Sequence, residues 1–169
     1  MIERTASNRM AARDQRGFYG DLEDAGVQPD VETKVRRSEL NGPIADRLGV
    51  PQGTETVVRS RRMSGDGQLL QTAVTYLHPA VVDQVPQLAE LNTGAGGMYA
   101  RMEEAGHKLR QQDRVSARVA DAEWQELFGI SSDVAVVVIE RITRGTDDQV
   151  LEITEIAAPA DRQVFVYDL

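Results

Sequence analysis

Apolar residues along this chain fall into short blocks whose spacing switches between helical and strand periods. Phe18 and Leu22 stand four apart within residues 16–25, which predicts one short helix, ended by Gly26 in a left-handed cap. Residues 31–35 alternate and predict a strand. Asn41-Gly42-Pro43 puts proline in the first turn of a second helix, with Ile44 and Leu48 on its buried face and Gly49 as its stop. Residues 54–63 and 68–77 read as long strands joined through Ser64-Gly65-Asp66-Gly67, a run that accepts the positive φ of a hairpin turn. Pro79 ends the second of them. Gly94-Ala95-Gly96-Gly97 leads into a third helix that carries Met98, Tyr99, Met102 and Ala105 and closes at Gly106. Residues 109–119 alternate loosely. Asp121 caps a fourth helix with Trp124, Leu127 and Phe128 inside. Residues 134–144, 150–156 and 163–167 complete the strands. About six strands joined through hairpins and four short helices predict an α+β chain with a mainly antiparallel sheet.

Within this pattern, one block repeats. Leu48-Gly49-Val50, Val57-Val58, Arg61, Gly65 and Pro79-Ala80 return eighty residues later as Phe128-Gly129-Ile130, Val137-Val138, Arg141, Gly145 and Pro159-Ala160. Each copy reads as a short helix, a tight exit and two long strands. The repeat predicts a pseudo-symmetric sheet, with a cleft between its halves as the place for a site. Two copies are too few for a solenoid or propeller.

Composition narrows the chemistry. At 169 residues the chain fits one domain with a core of its own. The absence of cysteine excludes disulfides, thiolate metal sites and thiol catalysis, and suits a reducing cytoplasm. His78 and His107 are the only histidines, no metal motif is present and no cofactor is expected. No apolar run approaches the roughly 18–20 residues that span a bilayer, and residues 1–16 lack the apolar core of a signal peptide. The net charge of -8 argues against nucleic-acid binding by the surface as a whole. Charge is uneven, however. Residues 1–16 set Arg4, Arg9, Arg13 and Arg16 against Glu3 and Asp14, and read as a polar arm or linker, with residues 17–169 as the folded domain.

Candidate chemistry centres on arginines. Arg59 and Arg61 are two apart on a strand and share a face with Val57 and Met63. They could clamp a phosphate or carboxylate through their planar donor forks, or be ordinary surface cations. Arg141, the repeat mate of Arg61, reads as one half of a structural ion pair for which Glu152 could supply the carboxylate; Glu152 could equally accept hydrogen bonds from ligand hydroxyls. The glycines before Met98-Tyr99 open a helix N-terminus to an anion, although a flexible turn fits them as well. Arg118 near a strand end could join the same anion or face solvent. No Ser-His-Asp order or paired-carboxylate signature is visible.

Several of these pieces, in order, resemble the UTRA effector-binding domain of GntR-type bacterial transcription regulators, in the HutC-like branch. They are Leu48-Gly49-Val50, Arg59-Ser60-Arg61, Asp66-Gly67, Thr75-Tyr76-Leu77-His78-Pro79, the run from Gly96 to His107, Ala117-Arg118, Val137-Val138-Ile139 with Arg141, Leu151-Glu152 and Ala160-Asp161-Arg162. The resemblance implies a chorismate lyase-like fold, an antiparallel sheet of about six strands with flanking helices. It implies a homodimer, cytoplasmic, that senses a small and often anionic metabolite and relays this to a winged helix-turn-helix on operator DNA. On that pattern the ligand residues are Arg59, Arg61, Gly97, Tyr99, Arg118 and Glu152. No winged helix precedes residue 17, so the chain is read as a truncated regulator that starts in the interdomain connector. Two positions depart from sugar-phosphate sensors: Ala73 stands where glutamate is frequent and Ala158 where tyrosine is frequent. Both imply a roomier pocket and a larger or less hydroxylated ligand. A chorismate lyase-like enzyme and a bare dimerisation module with a vestigial pocket are the alternative readings.

Overall fold

Period-two alternation builds most of the molecule. In chain order the elements are β1 (Ile2–Thr5), α1 (Gly17–Asp24), β2 (Pro29–Leu40), α2 (Pro43–Leu48), β3 (Thr54–Gly65), β4 (Gln68–Leu77), α3 (Pro79–Gln84), a 3-10 turn (Pro86–Ala89), α4 (Gly97–Glu104), β5 (Arg110–Val119), α5 (Ala122–Phe128), β6 (Ala135–Arg144), β7 (Val150–Pro159) and β8 (Gln163–Val166). They come from a computed structural model that describes residues 1–5 and 17–167. Six strands form one antiparallel sheet in the order β2-β3-β4-β7-β6-β5. β4 and β7 meet in the middle, with Val74 opposite Glu155 and Thr75 opposite Thr154. Each sequence repeat therefore supplies one three-stranded half.

The repeat runs further than the strand motifs indicate. Helices α1 and α4 carry the same eighty-residue offset, and Gly17-Phe18-Tyr19 matches Gly97-Met98-Tyr99. Both helices bury apolar residues against the same sheet face, α1 through Phe18 and Leu22, α4 through Met98 and Met102. The opposite face packs on α2, where Ala45 and Leu48 join Val58, Ile142 and Ile153. Alternation decides which is which: Val57, Arg59, Arg61 and Met63 point one way from β3, and Val58 the other.

Two local expectations change. Pro79 not only ends β4 but fills the first turn of α3, which His78 caps by accepting the Ala80 N–H on its Nδ1 at 3.1 Å. Residues 2–5 of the supposed polar arm form a strand, β1, which pairs in parallel with β8; residues 6–16, with Arg9, Arg13 and Arg16, lie outside the described residues. Arg4 explains why β1 holds. Its buried guanidinium donates to Asp21 Oδ2 at 2.6 Å, Gln71 Oε1 at 2.5 Å and Gln163 Oε1 at 3.0 Å, and lies 5.0 Å from the Phe18 ring centroid. One side chain thus ties β1 to α1, β4 and β8.

Removing one partner of a buried pair leaves an uncompensated charge and costs about 3–5 kcal/mol. Arg4→Ala is expected to lose that much in urea unfolding. A loss below about 1 kcal/mol, the value of an exposed pair, would show β1 to be an accessory.

Candidate ligand-binding site

The sheet face beneath α1 and α4 is not completely covered. Between the two helices, the residues 91–97 that lead into α4, and strands β2, β3, β4, β6 and β7 lies a cavity of about 880 Å³. That is within the range of small-molecule sites, roughly 300–1,000 Å³. Both repeats contribute to it: Tyr19 and Arg61 from the first, Tyr99 and Arg141 from the second.

A buried carboxylate organises the floor. Glu152 on β7 is fully buried and accepts hydrogen bonds from Thr143, from Thr154 and, at 3.2 Å, from the Tyr99 hydroxyl. With Thr154 donating to Glu152, the Thr75 hydroxyl donates to Thr154 at 2.7 Å and accepts from Arg61 Nη2 at 2.9 Å. Arg61 is thus linked to Glu152 through two threonine hydroxyls and not by a direct ion pair. Burial raises the Glu152 carboxyl above its ordinary range, against the lowering effect of Thr143, Thr154, Arg141 and Arg61. Burial lowers the Arg61 guanidinium, against the raising effect of Tyr99 and Glu152.

Among the described residues four arginines line the cavity; Arg4 is held by Asp21, Gln71 and Gln163, and the other three differ in what they have left to offer. Arg141 makes a bidentate pair with Asp113 of β5, Nε–Oδ1 2.8 Å and Nη2–Oδ2 2.9 Å. Burial lowers its pKa, but Asp113 outweighs this and raises it. The ion pair expected for Arg141 exists, with Asp113 in place of Glu152. Arg59 donates to the backbone carbonyls of Leu88, Glu90 and Leu91, at 2.8 Å for Leu88 and 3.1 Å for Leu91. Burial and then Arg61 push its pKa down to about 10, which leaves it charged at neutral pH. Arg59 thus anchors the chain entering residues 91–97, and Arg101 holds the same segment through the carbonyls of Thr93 and Ala95. Arg61 makes no ion pair among the described residues, and its Nε is buried without a partner.

The expected site residues separate accordingly. Arg59, Arg61, Gly97 and Tyr99 line the cavity. Glu152 lies one layer below, behind Tyr99 and Thr154. Arg118 is exposed on β5 and paired in register with Val136, whereas Asp113, paired with Arg141, lies on the cavity face of the sheet; five residues of separation on a strand put Arg118 on the other face. The cavity's other guanidiniums are those of Arg4 and Arg141. Ala73 lines the cavity as anticipated, but Ala158 is buried away from it. Tyr19 and Phe18 were missed as cavity residues, although their match to Tyr99 and Met98 at the repeat offset is a signal present in the sequence. Gly96 and Gly97 both have positive φ, 77° and 67°, so glycine suits the turn that brings the backbone to the mouth of α4. Phe18, Val31, Met63, Ile156 and Phe165 form an apolar patch in the wall, beside the polar Arg4, Glu23, Thr33 and Gln71. Among the described residues no group of histidines and carboxylates is placed to hold a metal, and no helix is long and apolar enough to cross a membrane.

A cavity set between two sheet halves and lined by arginines has the size and polar anchors of a small-molecule site. The sequence pattern of the UTRA domain matches residues 26–163, and the chain belongs to that family. It is 33% identical over 126 residues to an uncharacterized HTH-type transcriptional regulator of Rhizobium meliloti, covering 72% of this chain and 50% of that protein. It is 28% identical over 141 residues to another from Streptomyces coelicolor, covering 79% and 51%. The chain spans about half the length of these curated relatives. The effector domain of PhnF from Mycobacterium smegmatis superposes with a TM-score of 0.76 at 20% identity, covering 99% of each chain, and GntR-family regulators recur among the solved neighbours. At that identity the likeness shows the fold. The curated relatives are HTH-type transcriptional regulators, and as a UTRA domain this chain has a regulatory, ligand-binding role.

The Glu152 result carries a sign. An acid whose folded pKa is raised stabilises most below its unfolded value, about 4.3, and loses that contribution as pH rises through the folded value. The melting temperature of the wild type minus that of Glu152→Gln is therefore expected to fall from about pH 4.5 towards neutrality. A difference flat in pH would show that Glu152 titrates normally.

Proposed function

We propose that this chain is the effector-sensing domain of a DNA-binding transcription factor of the HutC-like branch, and that it binds one small anionic metabolite in the cavity between its two repeats. The observation that carries the reading is Arg61. It lines the cavity, makes no ion pair among the described residues and has a buried Nε without a partner, while the equivalent Arg141 is neutralised by Asp113. An anion there would gain a charge-assisted hydrogen bond at little cost in rearrangement. Tyr99 and Gly97 line the same cavity, and its apolar patch of Val31, Met63, Ile156 and Phe165 favours a ligand body less hydroxylated than a sugar. Arg59, its donors engaged by the loop carbonyls, shapes the site more than it contacts the ligand.

The relay would run through α1. Its first residue, Gly17, lines the cavity, and Arg4 ties β1 to α1 through Asp21, so a ligand that draws α1 towards the sheet also bears on β1, through which a connector to a winged helix-turn-helix would enter the domain. Such a ligand acts only as far as it binds one arrangement better than the other. On this reading the full regulator is a cytoplasmic homodimer on operator DNA, and this chain contributes no catalysis.

A thermal-shift panel of carboxylates and phosphate esters, graded from sugar-like to apolar, tests this. A ligand present at about 100 times its dissociation constant stabilises by about 2.7 kcal/mol. The shift is expected from apolar monoanions and is expected to vanish in Arg61→Ala. Shifts that persist in Arg61→Ala would place the ligand elsewhere.

A further inference from the structure

The charges at the cavity floor form two pairs of unequal closeness. Arg141 is matched by Asp113 in direct contact. Arg61 reaches its counter-charge, Glu152, only through the hydroxyls of Thr75, at 2.9 Å, and Thr154, a further 2.7 Å on. Glu152 is fully buried, and its hydrogen bonds come from the neutral hydroxyls of Thr143, Thr154 and Tyr99. Two guanidiniums and two carboxylates thus sum to zero before any ligand enters. The surroundings of Glu152 leave that sum unchanged. Its ladder neighbours are Leu77 on β4 and Thr143 on β6, and Gln111 of β5 donates to Thr143 at 3.4 Å. From α4 comes Tyr99, whose phenol is raised by burial and then by the Glu152 charge, and so keeps its proton. From α3 and the 3-10 turn come Val81, Val85 and Leu88, packed with Leu77. Arg59 is a further cation on the strand of Arg61, but its donors are engaged by the carbonyls of Leu88, Glu90 and Leu91.

We propose that the cavity takes up an anion together with a proton, the anion on Arg61 and the proton on Glu152. This rests on the reading of Arg61 as the anion's anchor. An anion in contact with Arg61 is a nearer counter-charge than Glu152, and it leaves the floor with one negative charge in excess. Asp113 keeps its contact with Arg141, whereas Glu152 has no cation in contact to keep. A buried carboxylate that loses its counter-charge neutralises itself by binding a proton, here from solvent. The floor allows this without moving the chain. A hydroxyl accepts as well as it donates, so a protonated Glu152 donates to Thr143 or Thr154 and the hydrogen bonds persist. The carboxyl is already raised by burial in the free protein, and it rises further once the anion occupies Arg61. Affinity for the anion is therefore highest in acid. It falls as pH rises from the free value of Glu152 to its value in the complex, by up to about tenfold per pH unit.

Benzenesulfonate is a suitable probe, because it joins an apolar body to a single charge that does not titrate between about pH 5 and pH 9, a range that spans the raised values of buried glutamates. Calorimetric titration over that range, in two cationic buffers of different protonation enthalpy, gives both the affinity and the number of protons taken up. Affinity is expected to fall with rising pH, with up to one proton bound per ligand. The infrared difference spectrum is expected to gain the C=O band of a protonated carboxyl on binding, a readout that needs no variant. In Glu152→Gln the pH slope and the proton uptake are expected to vanish, and binding at neutral pH is expected to be tighter than in the wild type, because the opposing charge is gone. His78 and His107 carry the side chains that ordinarily titrate near neutrality. They bond Ala80 and Gln84 and do not line the cavity, so a slope of their making would survive in Glu152→Gln. Benzenesulfonate that fails to bind, or that binds Arg61→Ala equally well, would remove the anchor reading itself. Arg61-dependent binding that is flat in pH, with no proton taken up and no carboxyl band, would overturn the proton coupling alone. So would a slope of equal size in Glu152→Gln.

Discussion

Glu152 is the group on which the site depends. A carboxylate buried without solvent is unfavourable unless its oxygens are satisfied, and here three hydroxyls, from Thr143, Thr154 and Tyr99, converge on it. Each belongs to a different element, β6, β7 and α4. Satisfying Glu152 therefore fixes how α4 sits on the second half of the sheet. Through Thr154 and Thr75 the same network crosses from β7 to β4 and reaches Arg61 on β3. The two repeats are joined at the cavity floor by hydrogen bonds as well as by the β4–β7 ladder.

That network also explains how two repeats give one polar site. Arg61 and Arg141 occupy equivalent positions, and the difference between them lies in their neighbours. β5 brings Asp113 to Arg141, while the matching position on β2 is Thr33, which carries no charge. One guanidinium is spent on structure; the other faces the cavity with only hydroxyl and distant carboxylate compensation. Divergence at one strand position is enough to make two equivalent arginines unequal.

Much of this was legible in the sequence. Alternation and turn residues located β3, β4, β6 and β7, and the two-residue spacing placed Arg59 and Arg61 on one face. The eighty-residue offset announced the symmetry. Other features depend on non-local pairing that periodicity does not carry. β1 is four residues long and its partner β8 lies at the other end of the chain. The partners of Arg59 are backbone carbonyls about thirty positions away, which no side-chain pattern reveals. Arg118 and Asp113 sit on one loosely alternating strand, and only the register with β6 tells which of them shares the sheet face of Arg141. Pro79 was read as a stop because proline ends strands, and it also begins helices.

The central claim is that Arg61, and not its symmetry mate, receives an anion. Nitrogen-15 NMR of the arginine Nε–H groups reports on this directly. On titration with a stabilising anionic ligand, the account predicts a large shift of the Arg61 Nε resonance while that of Arg141, held by Asp113, stays close to its free position. A ligand that binds while moving Arg141 and leaving Arg61 unchanged would contradict it.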